Sequence, residues 1–295
     1  MTKKNNAFLP AALSAGLAAG MARRKSEDGV RKGAPAPVLE PDQELVRRMP
    51  ELICCDRFRL VVQPVIDLQT GDIVGGEILS RLDHPEQGVI FPDKFLPAVE
   101  NAGLYLKFDH HIFAKSCALL KRLTEQGVRL QYLSCNFSRM TLSEKGTATR
   151  LAAIADKYGV AHDRLAVEVT EREPEGDSEQ FRRNLRQLKE EGFRIFVDDL
   201  GAGVTSVRDL WSYPVDVVKI DRSVLLETDS EQGSAAYRGL RNLAADLGYK
   251  VLCEGIETER QYRFVLDADC HYGQGFLFYR PMEEERFLFL MGGKK

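Results

Sequence analysis

No CxxC pair occurs in this chain of 295 residues, although it holds six cysteines, at 54, 55, 117, 135, 253 and 270. Adjacent Cys54 and Cys55 are too strained for an ordinary bridge, so neither a zinc site nor a disulfide framework is indicated, and a reduced, cytosolic protein is expected. A basic excess is also missing: the net charge of −3 supplies no global field to gather a nucleic-acid polymer. An anionic ligand must therefore be held by local cations, whether side chains or metals. No GxGxxG turn follows an early strand, which weakens a dinucleotide fold, and no internal repeat is visible. A comfortable membrane span, which takes about 20 apolar residues, is lacking as well.

The nearest approach to such a span is the mildly apolar run from Ala7 to Ala22, followed by Arg23-Arg24-Lys25. It is similar to a signal-peptide core, with Ala18, Ala19 and Gly20 small enough for cleavage. Its Ala and Gly content, Pro10 and its shortness favour a frayed tail; membrane association or export through residues 7–22 is the less favoured alternative. Residues 26–42, with Gly33, Pro35, Pro37 and Pro41, read as a linker. The expected division is a flexible tail and linker over 1–45 and one domain over 46–295, in a cytoplasmic protein.

What is present is enough apolar sequence for one large core, at 44% hydrophobic residues. A prior of about 150 residues per domain suggests two domains, but α/β barrels often use about 250 as one. Strands are expected at Phe58–Ile66, Ile73–Leu79, Gln131–Asn136, Leu165–Val169, Phe193–Val197, Val215–Ile220, Val251–Glu254 and Gly275–Phe278. Helical spacing separates them: Leu151, Ile154, Ala155 and Tyr158; Phe181, Leu185 and Leu188; Leu240, Leu243, Ala244 and Leu247. This alternation predicts the α/β class and a closed (β/α)8 TIM-like barrel, with an open doubly wound sheet as runner-up. Pro64 predicts an irregular first strand.

The chemistry lies in what the strands end on. Glu77, Asn136, Glu168 and Asp198-Asp199 stand at successive strand ends, then Lys219 with Asp221, then Glu254; Gln274 precedes the last strand. In a barrel these ends meet in one ring, where barrel active sites lie. One carboxylate there is usually solvent-facing or capping, but its recurrence on strand after strand is not explained that way. Converging carboxylates repel, so some are protonated or cations sit among them. Oxygen ligands without His or Cys suit Mg²⁺ or Mn²⁺ rather than zinc. Asp198-Asp199 could span two ions about 3.5–4 Å apart, a device for in-line displacement at phosphorus, with Lys219 positioning water or neutralising developing charge. A paired-carboxylate glycoside hydrolase is the rival reading; Asn136, Lys219 and the adjacent aspartates suit metals better.

The segment Gly75-Gly76-Glu77-Ile78-Leu79-Ser80-Arg81 resembles the signature of EAL-domain phosphodiesterases, which hydrolyse cyclic di-GMP to linear pGpG. The likeness continues through Gln63-Pro64, Asn136-Phe137-Ser138, Glu168-Val169-Thr170-Glu171 and Asp198-Asp199-Leu200-Gly201-Ala202-Gly203. It extends over Lys219-Ile220-Asp221-Arg222-Ser223, Glu254-Gly255-Ile256-Glu257-Thr258 and Gln274-Gly275-Phe276, covering residues 56–282. The resemblance implies that Glu77, Asn136, Glu168 and Asp198 ligate one metal and Asp198 and Asp199 a second. It implies Lys219 holding the attacking water and Glu254 as general base or second-metal support. It further implies Gln63, Leu79, Arg81 and Gln274 as substrate contacts, with Glu171, Glu257 and Asp221 in supporting places and Glu171 bracing the loop after Asp199. A homodimer is implied too, since that loop couples metal binding to dimerisation in the family.

Several positions depart from the family pattern. Ile78 replaces its middle alanine, and Leu200, Ala202 and Val204 stand where Phe, Thr and an aromatic are frequent, which puts dimer-linked control in question. Cys253 replaces an alanine beside Glu254 and Cys135 precedes Asn136; both read as small buried hydrophobes. Degenerate members, which bind cyclic di-GMP and signal to a partner, lose ligands or the glutamate that is retained here as Glu254. There is no room before the barrel for a receiver, PAS or GGDEF-type domain, so a stand-alone enzyme is expected. His110-His111 lack a carboxylate spaced for metal ligation, Trp211 and Tyr213 are expected in the core with a dimer contact as the alternative, and Glu283-Glu284-Glu285 predicts a helix start.

Overall fold

A computed structural model describes residues 42–169, 179–202 and 207–292. Its strands are β1 (Phe58–Asp67), β2 (Ile73–His84), β3 (Gly88–Ile90), β4 (Tyr132–Phe137), β5 (Leu165–Val169), β6 (Arg194–Leu200), β7 (Val217–Ile220), β8 (Lys250–Cys253), β9 (Tyr272–Gly273) and β10 (Met282–Glu283). Strands such as Leu165–Val169 and Val217–Ile220 are buried along their whole length, as expected where helices cover the outside and side chains fill the inside. Strands β2, β4, β5, β6, β7, β8 and β9 run parallel in that order, and β1 closes the ring by pairing with both β2 and β9. The eight-stranded α/β barrel expected from the sequence is thus present, with β3 and β10 as outer additions.

The irregularity of the first strand is one of direction: β1 is antiparallel to both neighbours. A parallel connection needs a crossover of a dozen residues or more, and the turn from β1 to β2 is far shorter. Asp67 shapes that turn by accepting from the amides of Gln69 (2.9 Å) and Thr70 (3.1 Å), and Gly71 takes φ 77°. Pro64 lies inside the pairing, opposite Gly76, one residue before a register shift at Val65/Ile66. The last ring strand also differs from expectation, since it comes at Tyr272–Gly273 and residues 275–278 form a turn. Gly275 lies so close to the Ile256 backbone that a Cβ there would meet the Ile256 carbonyl oxygen at 2.1 Å.

Side-chain alternation explains how the barrel carries a polar site. Val65, Val74, Tyr132, Ala166, Phe196, Val217, Leu252 and Tyr272, one from each ring strand, form a buried cluster separate from the main core. Two residues along, on the same face of their strands, stand Glu168, Asp198, Lys219, Glu254 and Gln274. An apolar floor therefore underlies a polar ring. Gly75 leaves room for the floor, because a Cβ there would lie 2.5 Å from the Tyr132 ring.

Outside the barrel, the helix Glu179–Glu190 buries Phe181, Leu185 and Leu188 as the spacing predicts, and Thr147–Tyr158 buries Leu151 and Ala155. The helix Glu231–Asp246 buries Ala244 and packs Leu240 and Leu243 partly against the core. Glu284–Leu290 is a helix with Glu284 and Glu285 in its first turn. His111 lies in the helix Tyr105–Glu125 and meets Asp56 at 3.0 Å. Tyr213 is buried, but Trp211, in the last turn of the short helix Val207–Ser212, is 60% exposed, contrary to the core expectation. Cys135 and Cys253 are buried. No helix among the described residues is long and apolar enough to cross a membrane, and the run Ala7–Ala22 lies outside those residues.

Asp109 is a buried carboxylate that anchors the segment after β4, accepting from the Ser138 amide (3.0 Å) and the Thr141 hydroxyl (2.6 Å). Burial outweighs these bonds and pushes its pKa up to about 6. Below about pH 4 the group is protonated in both folded and unfolded chains and carries no penalty. Stability is lost as pH rises through the folded value, by roughly 3 kcal/mol in all. Asp109→Asn should lack this loss, so urea unfolding at pH 4 and pH 7.5 should show the variant gaining on wild type by about that amount. A pH-independent gap would show that Asp109 is not the titrating group.

Candidate metal centre

Lys219 stands at the centre of the polar ring, fully buried on the short strand β7. Its Nζ bonds Glu168 and lies 2.7 Å from Glu254, 3.2 Å from Asp198 and 3.5 Å from Glu77. Glu77 in turn accepts from Asn136 Nδ2 at 3.0 Å and from Gln274 Nε2 at 2.7 Å. Four carboxylates, from β2, β5, β6 and the end of β8, thus share one ammonium. Asp199, at φ 57°, lies at the register shift of β6 between Val197 and Leu200, and its amide donates to Asp198 Oδ1 at 2.8 Å. Carboxylate oxygens of Glu77, Glu168 and Glu254 come within 4.8 Å of one another, and so do those of Asp198, Asp199 and Glu254.

The ring's electrostatics follow from crowding in a dry place. Burial opposes the charge on Glu77, but Lys219 and the Gln274 and Asn136 bonds hold its carboxyl below the ordinary range. Asp198 is pushed well up, first by burial and then by the charges of Glu254, Glu77 and Asp199. Glu254 is also raised, burial outweighing the attraction of Lys219. Burial would lower Lys219, yet Glu254 and Glu77 raise it, so it stays an ammonium. Glu168 Oε2 and Gln274 Oε1 are buried without a hydrogen-bond partner among the described residues. Orphaned oxygens in an all-oxygen donor set fit a hard divalent cation, which would satisfy lone pairs that nothing else meets.

A cleft of about 270 Å³ opens over the ring, lined by Gln63, Leu79, Glu77, Asp198, Glu254 and Gln274, with Arg222, Gly255, Glu257 and Phe276. The structure therefore gathers most of the expected residues. Arg81 is not among the lining residues: it donates to the Ser80 carbonyl, and its guanidinium lies 4.7 Å from the Phe91 ring centre. Asp221 is a helix cap, accepting from the Ser223 amide at 2.8 Å. Glu257 pairs with Arg222 at 3.1 Å. Glu171 lies outside the described residues. Arg222 and Phe276 lie within motifs that carry the resemblance, but no role was expected of either. The Arg222 stem crosses Gly255 so closely that a Cβ there would meet its Cγ at 2.4 Å.

The fold and the site define a β/α barrel with an acidic, oxygen-donor centre at the C-terminal ends of its strands. Residues 46–281 match the EAL domain, and this chain belongs to the EAL domain family. An uncharacterised protein of Mycobacterium tuberculosis is 32% identical over 242 residues, which are 81% of this chain and 39% of that protein. The cyclic di-GMP phosphodiesterase RocR of Pseudomonas aeruginosa is 29% identical over 232 residues, 78% of this chain and 59% of RocR. The chain thus spans about two fifths of the length of the first curated relatives it matches. A solved structure of the PaMucR phosphodiesterase in complex with c-di-GMP is similar at TM-score 0.77 and 28% identity, covering 83% of this chain and 100% of that one.

Proposed function

We propose that this chain hydrolyses cyclic di-GMP to linear pGpG with the help of two divalent cations, Mg²⁺ or Mn²⁺. The observation that carries the reading is the ring itself: Glu77, Asn136, Glu168, Asp198, Asp199, Lys219 and Glu254 together beneath an open cleft, in a member of the EAL domain family. Glu77, Asn136, Glu168 and Asp198 would hold one cation, and Asp198 with Asp199 the other. Bound cations would supply a nucleophilic water at neutral pH and charge stabilisation at phosphorus. Once the carboxylates have that second source of countercharge, the Lys219 ammonium is released to donate to the attacking oxygen. Glu254, which this reading leaves out of the ligand set and whose carboxyl lies above the ordinary range, would be the proton acceptor. Gln63, Leu79, Gln274 and Phe276 wall the cleft where the nucleotide would lie. Arg81, turned toward Phe91, contacts a phosphate only after leaving that ring. A homodimer belongs to the same reading.

The purified chain, incubated with cyclic di-GMP and Mn²⁺ or Mg²⁺, should form pGpG, and EDTA should abolish the reaction. Binding without product while metal is loaded would instead support a cyclic di-GMP receptor that signals to a partner. Hydrolysis that survives chelation would support metal-free acid–base chemistry. Running the assay across protein concentration tests the homodimer.

A further inference from the structure

We propose that Arg139 is a positioning residue for the candidate metal centre, tying the Asn136 strand end to the elements that follow β5 and β6. Arg139 opens the short helix Arg139–Ser143, capped by Ser138, three residues beyond Asn136. Its guanidinium carbon lies 4.9 Å from the Phe181 ring centre and 6.0 Å from that of Tyr213. Its Nη2 donates to the Tyr213 hydroxyl at 3.0 Å. The two rings meet edge to face at 5.3 Å, and Arg139 Nε is buried with no hydrogen-bond partner among the described residues. A guanidinium drawn from water toward two aromatic rings is attracted most strongly where solvent is excluded.

The partners belong to different βα units. Phe181 is on the helix after β5, whose penultimate residue is Glu168, and Tyr213 follows the helix after β6, which carries Asp198 and Asp199. One cation therefore links the three neighbouring units that supply Asn136, Glu168 and Asp198. Asn184 holds the same segment by donating to the carbonyls of Leu142 (2.7 Å) and Glu144 (2.8 Å), and Asp109 holds it at Ser138 and Thr141. With those anchors in place, loss of Arg139 loosens the spacing between ligands rather than unfolding the segment. Gln63 and Phe276, by contrast, come from β1 and the turn after β9, on the other side of the ring, and Leu79 lies beyond Glu77 on β2. Metal affinity and kcat should therefore respond, and KM should not.

The inference rests on the metal reading above, and the experiment separates the two. Mn²⁺ binding to the full chain, followed by electron paramagnetic resonance, is measured beside cyclic di-GMP kinetics and thermal unfolding. Arg139→Met should weaken Mn²⁺ binding about tenfold and lower kcat about tenfold, with KM within about twofold. Arg139→Lys, which keeps charge but not the planar fork, should recover part of both. Tyr213→Phe removes only the hydroxyl acceptor and should give a smaller loss of the same kind, even if Arg139→Met fails to fold. Mn²⁺ affinity and kcat unchanged in Tyr213→Phe and in every Arg139 variant that folds, whatever happens to Tm, would overturn the positioning role alone. A wild-type chain that binds no Mn²⁺ would overturn the metal reading and this inference with it.

Discussion

Glu254→Gln should reduce cyclic di-GMP turnover by about 10²–10⁴-fold while the substrate still binds, because the amide keeps the shape of the carboxylate but cannot accept a proton. The size follows from the position of Glu254 at the edge of the ring, in the cleft wall and 2.7 Å from Lys219. Glu77, by contrast, is tied by Asn136 and Gln274 and kept below the ordinary carboxylate range, which makes it a poor base. Glu254 also comes close to Asp198 and Asp199, so the variant must be checked for metal occupancy as well as turnover. Single-turnover kinetics with Mn²⁺ loading measured in parallel make the distinction. Turnover within tenfold of wild type at full loading would remove Glu254 from the catalytic set.

Lys219→Met should act on folding as well as chemistry. In the metal-free chain Lys219 is the ammonium shared by Glu77, Glu168, Asp198 and Glu254, and it is completely buried. Removing one partner from a buried ion pair costs about 3–5 kcal/mol, because the remaining charge is left without compensation. Some of that cost is relieved where a carboxylate takes a proton, as the raised Asp198 and Glu254 do most readily. Divalent cations should restore the lost stability without restoring catalysis, since they neutralise the carboxylates but do not replace a donor to the attacking oxygen. Urea unfolding of wild type and variant, with EDTA and with Mn²⁺, checks this. A loss of stability that Mn²⁺ leaves untouched would mean that Lys219 acts in packing rather than as countercharge.

The site was legible to the extent that it obeys local rules. A strand that contains Ala166-Val167-Glu168 or Val217-Val218-Lys219 states its own parity, so a polar residue two places beyond an inward apolar one must also point inward. Direction was not legible by that rule, because alternation is the same in a parallel and an antiparallel strand. The clue to β1 was the Asp67–Gly71 turn, too short for a crossover. Arg81 is the opposite case. Its motif implies a substrate contact, whereas the β2–β3 hairpin brings Phe91 under its guanidinium, a neighbour that no local rule names.

The sequence by itself determined the kind of fold, the polar residues that crown each strand and the hard-oxygen character of the centre, because these depend on periods of two and of about 3.6 residues. Only the tertiary structure decided what those residues do to one another. Gln274 meets Glu77 across 197 residues of chain, Lys219 settles among four carboxylates from four other strands, and Arg139 enters a cage made by two later segments. Such contacts are set by ring closure and by which strand lies next to which, and no local repeat in the chain encodes that order.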